Sequence, residues 1–129
     1  SYLIKASKRF KVLKVLLAEK AYSDVIREAQ EITELALKAM LRQIGIEPPK
    51  WHDVGRLLIE NKNKLPKDIK KRVFRLAKIS KELRKERELA FYGDIDFIPT
   101  EEYTRADAKK AIADVRIVLQ SAKQIIIVS

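Results

Sequence analysis

Apolar residues recur at spacings of three and four along most of the chain, the period that lines one face of an α-helix. A first helix is predicted from about Tyr2 to Glu19, with Leu3, Ala6, Phe10, Leu13 and Leu17 inward. A second runs from about Tyr22 to Ile44 and is ended by Gly45 and Pro48-Pro49. A short third helix follows Trp51-His52-Asp53 and reaches about Glu60; a fourth starts at Pro66, a residue suited to a first helical turn, and continues to Phe91. After the loop from Tyr92 to Tyr103, Thr104 caps a fifth helix that turns Ala108, Ala111, Val115, Val118, Ala122 and Ile125 inward. The run Ile125 to Val128 continues that stripe and is therefore assigned to helix, not strand. With no repeat, linker or low-complexity segment, the pattern predicts an all-α fold. Its form is an antiparallel up-and-down bundle of four long helices plus one short helix, a single domain over 1–129.

One position breaks the fourth helix's pattern. Leu65, Ile69, Val73, Leu76, Ser80, Leu83, Arg87 and Ala90 form its inward stripe, and all but Arg87 suit a core. A guanidinium stays charged and is costly to bury unpaired, so Arg87 must meet a carboxylate, reach water or sit in a cleft that takes a ligand. Tyr92 follows five residues later, and Gly93 can end the helix. Arg87 and Tyr92 are thus expected to border a concave, positively charged cleft, with Arg84 beside them.

Two helices carry more apolar residues than one core face needs. The second leaves only a narrow polar strip, and the first has Val12, Val15 and Leu16 outside its stripe. A central helix, or one that meets a second copy, explains such a surplus, and a homodimer is the simplest assembly.

Charge and composition narrow the chemistry. The chain carries 28 Lys and Arg against 18 Asp and Glu, a formal +10. Eleven of these cations against three acids lie between Lys64 and Arg87, a net +8 in 24 residues. Such a helix is either a surface for phosphates or a solvated face kept soluble by charge; aromatic residues able to stack on bases are nearly absent from it, Phe74 excepted. Without Cys and with one His, neither disulfides nor a thiolate or His-rich metal site is expected, nor any cofactor. No apolar run approaches the roughly 18 residues of a membrane span, and no signal-like segment opens the chain, so a soluble cytoplasmic protein is expected.

The run Ala29 to Leu41, then Gly45, then His52-Asp53, then Arg87-Glu88-Leu89-Ala90-Phe91-Tyr92-Gly93 resembles the HEPN domain family of prokaryotes, over nearly the whole chain. The resemblance implies an up-and-down helical bundle that dimerises and associates with nucleotides or RNA. It also implies a minimal nucleotidyltransferase as partner protein, in a toxin and antitoxin pair. Many members are metal-independent ribonucleases whose signature is Arg, four to six residues, then His at the end of a long helix. Arg87 matches that Arg, but Tyr92 stands where His is expected. Cleavage through a 2′-hydroxyl needs a proton exchanger near neutral pH, and a phenol of pKa about 10 serves poorly. Binding is the stronger inference, with an RNA endonuclease using Arg87 with Tyr92 or His52 as the alternative.

Each candidate also has a structural reading. His52 orders the start of the short helix beside Asp53; Tyr92 packs its ring at a helix end. Glu31 or Glu34 neutralises Arg87 across the bundle, making it a structural ion pair. Glu34 and Lys38 are spaced to pair on one helix face.

Overall fold

The computed structural model describes residues 1–50, 53–92 and 103–128, and the side chains of all of these but 87–92, 127 and 128. Every regular element among them is helical. In chain order they are α1 (Tyr2–Phe10), α2 (Val12–Ala18), α3 (Tyr22–Gln43), α4 (Val54–Glu60), a 3₁₀ turn (Lys62–Lys64), α5 (Lys67–Lys70), α6 (Val73–Tyr92) and α7 (Arg105–Val128).

The sequence suggests four long helices, and two of them are divided. The first is pinched at Lys11, whose N–H donates to the Lys8 carbonyl at 3.3 Å in the tighter i to i+3 pattern. Its backbone stays right-handed helical, at φ −64° and ψ −27°. The fourth is pinched in the same way between α5 and α6, where the Arg72 N–H reaches the Ile69 carbonyl at 2.9 Å. At each pinch the inward stripe persists on both sides: Ala6 and Leu13 are buried across the first, Ile69 and Val73 across the second.

Helix ends follow local chemistry. At α3, Gly45 takes φ +86°, and the N–H groups of Gly45 and Ile46 return to the carbonyls of Arg42 and Leu41 at 3.1 and 3.0 Å. This is the paired closure that leaves few helix-end carbonyls unmet. The end of α2 repeats it with Lys20 at φ +59°, its N–H on the Leu17 carbonyl and that of Ala21 on Leu16. Thr104 caps α7 as expected: its Oγ1 accepts from the Asp107 N–H at 3.2 Å, and Asp107 Oδ2 accepts from the Thr104 N–H at 2.9 Å.

The most buried element is α3, with Ile32, Leu37, Met40 and Leu41 fully enclosed. It packs against α1, α2, α4, α6 and α7. Its surplus of apolar residues is therefore consumed inside the chain, and of the two helices first weighed for self-association only the α1–α2 pair keeps large aliphatics in solvent: Ile4, Val12 and Val15. α7 runs through Val128, so the terminal Ile and Val run is helical.

Candidate functional site

The stripe of α6 determines where its far end points. Ile69, Val73, Leu76, Ser80 and Leu83 are all buried, so the inward face is continuous up to the turn before Arg87. The helical backbone carries Arg87 four positions past Leu83 and Tyr92 to its last residue. The side chains of Arg87 and Tyr92, all of His52, and the expected helix stop at Gly93 lie outside the described residues.

What surrounds this end is described in part. α4 is held against α6 at Gly55, where an added Cβ would meet Ala77 Cα at 3.0 Å and Ala77 Cβ at 3.1 Å. Carbon atoms prefer about 3.5–4.0 Å, so any side chain here would have to push the two helices apart by a few tenths of an ångström. The contact brings the start of α4 alongside α6. There Asp53 caps α4, its Oδ1 accepting from the Arg56 N–H at 3.3 Å, while the same oxygen lies 3.6 Å from Nη2 of Arg84. Arg84 keeps 31% of its side chain exposed. At 3.6 Å the pair is an ion contact longer than a hydrogen bond, and one carboxylate at that distance leaves most of a guanidinium's five donors to other partners.

The opposite flank is set by Tyr103, which leads into α7. Its hydroxyl lies 2.9 Å from the Glu86 carbonyl oxygen and 3.1 Å from Glu86 Oε2, and its single proton can serve either. Glu86 immediately precedes Arg87, so α7 begins against the turn of α6 that carries the candidate arginine. Lower on α6, Glu82 joins the two helices through Lys110 at 3.9 Å. Lys110 donates to Asp114 at 3.0 Å, and that carboxylate raises the ammonium's pKa above the ordinary lysine value.

The acidic candidates on α3 have described partners elsewhere. Glu31 lies 3.9 Å from Arg9, which binds Glu28 more closely at 2.8 Å, and Glu34 accepts from the Gln30 amide at 2.9 Å. Among the described residues Glu34 and Lys38 form no ion pair. Nor do the described residues gather three or more His, Cys, Asp or Glu that could hold a metal, and none of their helices is long and apolar enough to cross a membrane.

An all-helical chain with an arginine-bearing helix end is a general arrangement, and comparison with known families gives it an identity. The family model for the HEPN domain matches residues 1–125. The chain belongs to the HEPN domain family. No curated protein and no solved structure matches it. Arg87 and Tyr92, the two positions at which the resemblance led us to expect a signature, both lie on the helical backbone of α6.

Sequence reasoning named Arg84 as a binding candidate but mentioned Asp53 only as the neighbour of His52, so both the Asp53 cap and its contact with Arg84 were missed. The reach of Asp53 to α6 depends on Gly55 packing on Ala77, a contact between positions 22 residues apart in the chain. The role of Tyr103 was missed altogether.

Proposed function

We propose that this HEPN protein binds nucleotide or RNA at the far end of α6, through Arg84, Arg87 and Tyr92, and has little or no metal-independent ribonuclease activity. Family membership places it among proteins with nucleotide- or RNA-related roles. The observation that carries the reading is Arg84: a guanidinium about a third exposed, two turns before the end of a strongly basic helix, in ion contact with one carboxylate, with Arg87 three positions on. Such a guanidinium is oriented yet retains donors for a phosphate. Two copies bring two such helix ends into one assembly. The homodimer forms through the aliphatics that α1 and α2 leave in solvent, Ile4, Val12 and Val15. The protein partner is a minimal nucleotidyltransferase, in a toxin and antitoxin setting; the family supports this part of the proposal.

A second reading keeps the enzyme. Asp53, the residue after His52, is held at Arg84, one helical turn before Arg87. That juxtaposition favours His52 as the proton-transfer group that the motif lacks at Tyr92. Incubating the pure protein with labelled single-stranded RNA in EDTA separates the two readings. Intact RNA, bound but uncut, is the expected result. Robust cleavage that is lost in His52→Ala or Tyr92→Phe overturns the binding assignment in favour of the endonuclease.

A further inference from the structure

The solvent face of α6 carries a second ordered feature, distinct from its arginine end. Val73, Leu76, Ile79, Ser80 and Leu83 are buried and define the inward side of the helix. On the opposite side, at spacings of three and four, stand Phe74, Lys78, Lys81 and Lys85, all exposed. Lys67, Lys70 and Lys71, also exposed, extend the row backwards through α5 and the turn after it. From Phe74 to Lys85 the helix rises about 16 Å. Phe74 is the one aromatic ring in the row and is 58% exposed, with the Lys62 ammonium 5.2 Å from its centroid.

Among the described residues, charge neutralisation along the row is slight: the one lysine of the row with a carboxylate within ion-pair distance is Lys78, at 3.9 Å from Glu82, and Glu82 is shared with Lys110. A helix face kept charged for solubility has no need of a phenyl ring at its centre. A face that binds a polyanionic strand does: the lysines take phosphates by releasing counterions, and the ring offers a stacking surface that any base can use. Lys62 over the ring adds a cation at the same place. A duplex hides its base faces and would use only the lysines.

We propose that the α5–α6 face, with Phe74 as its stacking platform and Lys67, Lys70, Lys71, Lys78, Lys81 and Lys85 as its phosphate contacts, binds single-stranded nucleic acid without sequence preference. It is a track along the helix, separate from the pocket proposed at Arg84 and Arg87. RNA and DNA strands share the phosphates and base faces that it recognises.

Fluorescence anisotropy on the full chain tests this, using labelled U-rich RNA and dT-rich DNA strands of about 20 nucleotides, longer than the track. A duplex and anionic phospholipid vesicles serve as further arms, each over a range of salt. Either single strand bound with a log–log salt slope of about −3 to −4 supports the track, and the relative affinities identify which strand it favours. The triple variant Lys70→Gln, Lys78→Gln and Lys81→Gln flattens the slope by about 2. Phe74→Leu weakens single-strand binding roughly 5- to 100-fold with an unchanged slope, and leaves duplex binding as it was. Arg87→Gln changes the slope by less than about 1 and leaves the Phe74 dependence intact. Unchanged single-strand affinity in both the triple and Phe74 variants overturns the proposal, whatever Arg87→Gln does. So does equal loss of duplex binding in Phe74→Leu, or binding of vesicles with none of nucleic acid. Loss in the Phe74 and lysine variants with no effect of Arg87→Gln upholds the track and removes the pocket instead.

Discussion

Replacing Asp53 separates its two tasks. In Asp53→Ala the first turn of α4 loses the acceptor of the Arg56 N–H, and Arg84 loses its carboxylate. An N-cap lost to alanine costs about 1 kcal/mol. The ion pair adds roughly 0.2–1 kcal/mol, since both side chains are about a third exposed and solvent screens them. The sum is about 1–2 kcal/mol. At about 2.1 cal/mol/K per residue, unfolding 129 residues converts each kcal/mol into a melting shift of about 4 °C. Asp53→Ala should therefore melt about 4–8 °C lower by far-UV circular dichroism. Asp53→Asn keeps a side-chain oxygen that caps as well as aspartate does, so it loses only the ion pair and falls by less than about 4 °C. A double-mutant cycle with Arg84→Gln isolates the coupling at roughly 0.2–1 kcal/mol. Because Asp53→Asn also removes a negative charge beside Arg84, it should tighten RNA binding a few-fold. Equal destabilisation by Ala and Asn, or zero coupling to Arg84, would refute these assignments.

Other perturbations follow from the helix ends, the charged pairs and the exposed aliphatics. Lys20 at φ +59° holds a left-handed conformation that costs a side chain about 1–2 kcal/mol, so Lys20→Gly should raise the unfolding free energy read from chemical denaturation by up to about 1 kcal/mol after the extra chain entropy of glycine is subtracted. Gly45→Ala, with open space around its Cβ but φ +86°, should lower it by about 1 kcal/mol from conformation alone; a neutral result would contradict the assigned strain. The pKa of Lys110 is raised by its hydrogen bond to Asp114, so the pair's stabilisation is complete below the ordinary lysine pKa and is lost as pH rises through the elevated one. Melting curves should show wild type ahead of Asp114→Asn by less than about 1 kcal/mol at neutral pH, with the gap closing in strong alkali. Val15→Glu places a charge on the exposed α2 face, and light scattering should then read 14.9 kDa in place of twice that; a persistent dimer would move the interface elsewhere.

The helices were legible because their stripes are long and their stops chemically marked: Gly45, the Thr104 cap, and burial from Ile69 to Leu83 at the expected spacing. The pinches at Lys11 and before Val73 were not, because neither carries a proline or glycine and the inward stripe continues across both. Arg84 was visible as a binding candidate, Asp53 only as the neighbour of His52. Their meeting depends on how closely two helices pack at Gly55 and Ala77, which no periodicity encodes. The apolar surplus of α3 illustrates the converse: the same pattern fits a central helix or an interface, and only its packing against five other helices distinguishes them.

The affinity of Arg87→Ala for labelled single-stranded RNA at fixed salt, read beside its melting temperature, tests the central claim most directly. If the end of α6 is a phosphate site, removing this guanidinium should weaken binding about tenfold, the worth of one charge-assisted contact, and leave the melting temperature nearly unchanged. Unchanged affinity with a melting temperature several degrees lower would instead make Arg87 a structural partner of Glu31 or Glu34, and the proposed site would fail.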